Sequence, residues 1–182
     1  MEEKLKGENW PWQPTLVGNL VKAVPLQEMD FETLFAVASD PQLWATHFVI
    51  DRYLRPQFEL YFRSRMDSRG ALLVTNKHTD EVIGSSRFTS FDPTERSIEI
   101  GGTFLKRSYW GTGVNAELKK LMLTHAFKYV ECVDFFVGIH NTRSQIAMKK
   151  IGGKIVTDSI KKRPGGEVHF RIEKSDFMTP QI

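Results

Sequence analysis

Two glycines set between a strand-like run and a long helix-like run are the residues of this sequence best placed to do chemistry. In Trp110-Gly111-Thr112-Gly113-Val114-Asn115 the missing side chains at 111 and 113 let backbone N–H groups approach an anion closely. The helix that follows adds the unpaired donors of its first turn and the positive end of its dipole. Such a turn can cradle a pyrophosphate without any cationic side chain. A Gly-x-Gly taken alone also fits a plain strand-to-helix turn. Two other phosphate loops fit less well. A Walker loop ends in Gly-Lys-Ser/Thr, whereas Gly113 is followed by Val114 and Asn115. A dinucleotide fingerprint needs a third glycine and an acidic residue about 20 positions on, inside a βαβ unit. Here Ala116 takes the third place and the run before the loop belongs to an antiparallel series.

The elements that must hold this turn follow from periodicity. Residues 1–18 carry Trp10, Pro11, Trp12, Pro14 and Gly18 without a period and read as an arm on the domain surface, with no element assigned. NLVKAVPL (19–26) alternates as a half-buried strand. Asp30 caps a helix with Phe31, Leu34, Phe35 and Ala38 on one stripe, Asp40-Pro41 starts another, and a third spans Pro56 to Asp67. Three strand-like runs, ALLVTN (71–76), EVIGSSRFTSF (81–91) and SIEIGGTFL (97–105), form a meander. A helix from about Asn115 to Val130 and the apolar run VDFFVGIH (133–140) make the strand, crossover and strand of a parallel pair. A short helix around Ser144 to Ile151, with Thr142 and Gln145 as a capping box, and the runs KIVTDSI (154–160) and EVHFRIE (167–173) complete the chain.

Two stretches carry a specific resemblance. Arg107-Ser108-Tyr109-Trp110-Gly111-Thr112-Gly113 resembles the pyrophosphate loop of the GNAT superfamily of N-acetyltransferases, written Q/R-x-x-G-x-G/A. Asn141-x-x-Ser144-x-x-Ala147-Met148-x-Lys150-x-Gly152 resembles its N-x-x-A/S-x-x-L-Y-x-K-x-G signature. The two follow the fourth and fifth strand-like runs in the expected order. The run EIGGTFLKRSYWGTGVNAELKKLMLTHAF is similar to the RimJ/RimL-like branch, the ribosomal-protein N-acetyltransferases. The resemblance covers residues 19–182 and implies one α/β (α+β) domain, with a mixed central sheet of about seven strands splayed between strands 4 and 5 and flanked by helices.

The resemblance implies acetyl-CoA as co-substrate and no metal. Its pyrophosphate would lie on Ser108, Tyr109, Trp110, Gly111, Thr112, Gly113, Val114 and Asn115, its pantetheine arm beside Thr103, Phe104 and Leu105. Asn141 would bond the arm, or serve as a turn residue before a helix. Transfer to an amine needs a base, an oxyanion donor and a proton for the thiolate. The donor would be a backbone N–H near Thr103 or Phe104. Ser144 occupies the position assigned to the thiolate in the RimL branch, or is a polar first-turn residue. Glu99 lies opposite Ile98 and Ile100 in its strand, where an acid is either exposed or functional, so it is the candidate base. Glu167 is a second, His47, His125 and His140 stand near, and His125 reads as a packing residue.

Three positions depart from the family pattern. Ser108 stands for Gln or Arg, Gly102 for an aromatic residue of the branch, and Met148 for a tyrosine proposed as general acid, which leaves that acid unassigned.

Composition bounds the rest. The net charge of +3 does not call for nucleic acid, and the basic stretch through Arg143, Lys149, Lys150, Lys154, Lys161, Lys162 and Arg163 reads as a solvated face. Neither a membrane span nor a leader is evident. Cys132, the single cysteine, fits a reducing, cytoplasmic setting and has no activating partner for a covalent route. The expected reaction is direct transfer to a primary amine, either a peptide N-terminus or a small molecule. A non-catalytic acyl-CoA-binding or regulatory module on the same fold is the alternative, and an RNA-associated protein a more distant one. A homodimer is possible.

Overall fold

Alternating apolar residues put one face of each strand on a core and leave the other for polar groups, and the chain uses this along one open sheet. The computed structural model describes residues 10–157 and 166–178. Its strands are β1 (Leu16–Val17), β2 (Val21–Pro25), β3 (Ala71–Asn76), β4 (Val82–Asp92), β5 (Ser97–Leu105), β6 (Cys132–Gly138), β7 (Lys154–Ile155) and β8 (Glu167–Glu173). They lie in the order β1-β2-β3-β4-β5-β6-β8-β7, antiparallel except for the parallel pair β5 and β6. The helices are α1 (Phe31–Ala38), α2 (Arg55–Asp67), α3 (Val114–Ala126), α4 (Thr142–Lys150) and α5 (Lys174–Met178). On one sheet face Leu118 and Met122 of α3 and Met148 of α4 pack on Ile83, Ile98, Ile100 and Phe135. On the other, Leu34, Phe58 and Phe62 of α1 and α2 pack on Leu73 and Phe104.

The expected splay is present between the fourth and fifth strand-like runs, which are β5 and β6 once β1 is counted. Pairing is confined to Ser97↔Cys132, Ile98↔Val133 and Glu99↔Asp134. Beyond it the strands run on, to Leu105 and Gly138, without pairing to each other. The facing edges of this wedge have no ladder between them, and some of their carbonyls accept elsewhere, Gly102 O from Tyr61 Oη and Gly138 O from Asn141 N.

A bulge shapes one wall of the wedge. Arg87 pairs with Gly101 and Ser85 with Phe104, so Ser86 alone faces both Gly102 and Thr103. Gly102 has φ +56, and a Cβ there would lie 2.5 Å from Arg65 Nη1. The space an aromatic residue would need is filled by a guanidinium from α2.

Several local expectations differ from the structure. Among the described residues the sheet has eight strands rather than about seven, because Leu16–Val17 pairs with Lys22 and Ala23. Two residues are too short to show a period. Trp10 of the arm is buried among Phe88, Phe91, His125 and Tyr129. Asp40-Pro41 starts only a one-turn 3-10 segment, Pro41–Leu43, capped by Asp40 Oδ1 on Gln42 N. Asp30 precedes α1 but bonds Gln27 N instead of capping the helix. The cap of α4 is Asn141, whose Oδ1 accepts from Ser144 N at 3.1 Å. The Thr142/Gln145 box does not form, since Gln145 Nε2 donates back to Gly138 O and Ile139 O. The short α5 carries no strong apolar stripe and was not expected. The run at 154–160 is a strand only at Lys154–Ile155, and its end lies outside the described residues.

Candidate active site

The glycine turn is built from backbone of unusual sign. After the 3-10 turn Arg107–Tyr109, Gly111 has φ +77 and Gly113, the N-cap of α3, has φ +87. Other residues adopt that region at a cost. A Cβ on Gly111 would meet nothing within 4 Å, and one on Gly113 only Leu20 Cδ1 at 3.9 Å. The space above the turn is therefore open, and no protein group crowds it. Thr112 Oγ1 donates to Tyr109 O at 2.8 Å and Trp110 Nε1 to Leu105 O at 2.9 Å. Ion pairs Lys106–Glu81 and Arg107–Asp40 brace the approach. Among the described residues no amide from Gly111 to Ala116 donates to a loop or side-chain acceptor. Those donors, at the positive end of a 13-residue helix, fit a pyrophosphate.

From this turn a cleft of about 570 Å³ runs into the wedge between β5 and β6. Of the expected binding residues, Thr103, Phe104, Leu105, Tyr109, Trp110, Gly111, Gly113, Asn115, Asn141 and Ser144 line it. Ser108, Thr112 and Val114 do not. Ser108 and Thr112 are exposed, and Val114 is buried in the core. Asn141 caps α4 through its Oδ1 and is a buried residue of the cleft lining.

The two candidate bases are divided. Glu167, at the start of β8, lines the main cleft. Glu99 is 5% exposed and lines a second cavity of about 290 Å³ with Ser90, Phe91, Asp92, Pro93, Asp134 and Phe136. Its Oε1 reaches to 2.7 Å from where a Cβ on Gly101 would sit. Gly101 and Phe136 line the main cleft as well, so Glu99 stands directly behind the point where the strands part. Beside it Asp134 accepts from Arg171 Nε at 2.7 Å and Nη2 at 3.0 Å and lies 2.7 Å from His169 Nε2. This bidentate pairing raises the Arg171 pKa.

Four cationic side chains line the cleft beyond those expected to act there. Arg143 Cζ sits 3.3 Å over the Trp110 ring, tying α4 to the glycine turn. Arg52 stacks on Tyr61 at 4.5 Å and Trp44 at 5.5 Å. Lys150 lines the cleft from the end of α4, and Lys119 reaches into it from α3. Burial, then Arg52 and Arg143, push the His47 imidazole down to about 4. His125 packs between Trp10, Phe88 and Tyr129, away from the cleft. The signal for Lys119 was present in the sequence. It shares the helical stripe of Met122 and Ala126, where a charged residue is out of place. Arg52 and Arg143 left no such trace, because an arginine in a loop or a helix's first turn is ordinary.

Among the described residues no group of three or more His, Cys, Asp or Glu side chains is arranged to hold a metal ion, and no helix is long and apolar enough to cross a membrane.

Residues 22–154 match the family model described as an acetyltransferase (GNAT) domain. That is most of the chain, and the chain belongs to this family. No curated protein matches it. Among solved structures it is similar to a GCN5-related N-acetyltransferase from Brucella melitensis, with TM-score 0.79 at 20% identity over 92% of this chain and 82% of that one. An acetyltransferase from Agrobacterium tumefaciens gives 0.72 at 22% identity, over 88% of this chain and 95% of that chain. The spermidine N-acetyltransferase of Vibrio cholerae, solved with CoA and spermine, gives 0.69 at 13% identity, over 89% and 100%. The chain is thus an N-acetyltransferase whose fold binds acetyl-CoA and supports acetyl transfer to amines.

Proposed function

We propose that this chain transfers the acetyl group of acetyl-CoA to a primary amine, either a peptide or protein N-terminal α-amine or a small-molecule amine, by direct attack in a ternary complex. The observation that carries this reading is one cleft joining unbonded loop amides to the wedge where β5 and β6 cease to pair with each other. In it the turn from Ser108 to Asn115 holds the pyrophosphate, chiefly through its amides. Thr103, Phe104 and Leu105 flank the pantetheine arm, and the Asn141 amide bonds it. A β5 amide near Thr103 or Phe104 faces the thioester oxygen. Glu99 takes the ammonium proton beside Gly101, with Glu167 to assist, and Ser144 lies at the sulfur.

An α-amine suits this site. Its pKa is about 8 against about 10.4 for a lysine, so lysine costs about 3 kcal/mol more to deprotonate at neutral pH. The RimJ/RimL-like branch, an arm at 1–18 serving a domain at 19–182, a cytoplasmic setting and a possible homodimer belong to the same proposal. The test is a peptide with a free N-terminus and an internal lysine, incubated with acetyl-CoA and mapped by mass spectrometry. Acetylation at the N-terminus is expected. Modification confined to the lysine would overturn the α-amine preference.

A further inference from the structure

We propose that Lys119 is the proton donor to the thiolate leaving acetyl-CoA, a role that Met148 cannot fill. The proposal rests on the reading of the cleft as an acetyl-transfer site. Lys119 is 3% exposed yet lines the cleft. Its Nζ meets hydroxyls, Thr103 Oγ1 at 2.5 Å and Ser86 Oγ at 3.5 Å, and these two lie 2.7 Å from each other. No carboxylate among the described residues pairs with it. Thr103 belongs to the bulge of β5, and the Phe135 ring of β6 stands 5.7 Å from Nζ. The amine therefore lies against β5 and β4 with the β6 ring close by, and it lines the cleft into which the proposed thioester would reach.

Burying an unpaired ammonium is unfavourable, and a methionine in the same stripe would avoid that cost. The groups facing Nζ are the Thr103 and Ser86 hydroxyls, the Phe135 ring and, electrostatically, the Arg65 guanidinium. Arg143, Ser144 and Lys150 line the same cleft from α4. On its own helix Glu117 is committed to the amides of Asn19, Leu20 and Val21, and Lys120 is exposed. Burial, then Arg65, lower the ammonium to about 7, poised for proton transfer at neutral pH.

The step balances. The acceptor nitrogen forms a bond to the acyl carbon, and the C–S bond breaks with its electron pair going to sulfur. A proton passes from Nζ to sulfur, leaving the CoA thiol and a neutral lysine. The surplus proton on the acceptor nitrogen leaves to the base, and solvent at the open cleft reprotonates Lys119.

Lys119→Met removes a buried charge and is expected to fold. It should lower kcat about 100-fold, leave acetyl-CoA affinity within about threefold by calorimetry, and abolish the fall of kcat above about pH 7. Lys119→Arg keeps the charge without a transferable proton and should be equally slow. An acetyl thioester of an aromatic thiol needs no acid, so with it the Met variant should regain most of its rate. Independently of turnover, the thiol of bound CoA, followed by thiolate absorbance, should titrate higher in the Met variant than in wild type. Wild-type kcat in Lys119→Met, or an equal defect with both thioesters, would overturn the assignment while leaving acetyl transfer intact. No thiol release by the wild-type chain with any amine, although acetyl-CoA binds, would overturn the transfer reading and this inference with it.

Discussion

The two ends of the cleft are made of different material. At the glycine turn the groups proposed to act are backbone amides from consecutive residues, and the positive φ of Gly111 and Gly113 shapes them. At the wedge they are side chains from separate elements. Lys119 comes from α3, Thr103 and Ser86 from β5 and β4, and Asn141 and Ser144 from the start of α4. On the far side of β5, Arg65 of α2 fills the space behind Gly102 and donates to Ser85 and Tyr61. An anion held by backbone depends on conformation and tolerates most side chains. A proton moved by side chains depends on which element brings a titratable group to the wedge, so the proposed acid, Lys119 of α3, would replace one expected on α4.

The largest effect should come from the turn. Gly111→Val or Gly113→Val should lower acetyl-CoA affinity by at least about 100-fold in calorimetry, since a branched side chain at positive φ both strains the turn and occupies the approach to its amides. Strain alone is controlled for by Gly152→Val. Gly152 has φ +91 and no atom within 4 Å of its would-be Cβ, but it does not line the cleft. That variant should lose stability and keep affinity. If all three bind alike, the backbone end of the comparison collapses.

Smaller, and divided between rate and binding, are the effects expected at the wedge. Ser144→Ala should lower turnover about tenfold with little change in acetyl-CoA affinity, while Glu99→Gln should lower turnover 10- to 100-fold and recover in part at higher pH, where more acceptor is already deprotonated. Steady-state rates across pH with a fixed amine measure both. Wild-type rates for the pair at neutral pH would move the base to Glu167.

This division also decides what the sequence discloses. The turn was legible because strand, two glycines and helix are contiguous, and the splay because the family resemblance places it. Side chains behind the wedge were not, since Arg65, Ser85 and Gly102 meet only once α2 packs on the meander. The bulge was hidden too: Gly101-Gly102 reads as two small residues in a strand, and only the pairing of Arg87 with Gly101 and Ser85 with Phe104 reveals the extra residue. Short elements failed for a different reason. Leu16–Val17 is fixed by its partner strand β2, which no periodicity of two residues can announce, whereas the cap and proline at Asp40-Pro41 marked a start but not the length, a single turn. At Asn141 the turn role expected before a helix is the one observed, as the cap of α4, and its place on the cleft leaves the binding role as a proposal.

The smallest expected effect concerns stability, and it probes the positive field of the wedge without touching catalysis. His47 packs edge-on against Trp44, 5.2 Å between ring centroids, and burial with Arg52 and Arg143 nearby pushes its imidazole down to about 4 from 6.5. Between those values the unfolded chain binds a proton that the folded chain does not, so stability rises with pH across the window and falls as the solution is acidified through it. The full span is worth at most about 3 kcal/mol. Denaturant titrations at intervals from pH 4 to 7 should show this slope. His47→Gln, which cannot titrate, should flatten it while leaving stability at pH 7 within about 1 kcal/mol. Acetyl-CoA brings negative charge to the cleft that Arg143 lines, so it should also reduce the slope in the wild-type protein. A slope unchanged by the substitution would show that His47 is not confined among those cations, and that the wedge is more open to water than the packing of Trp44, Arg52 and Arg143 implies.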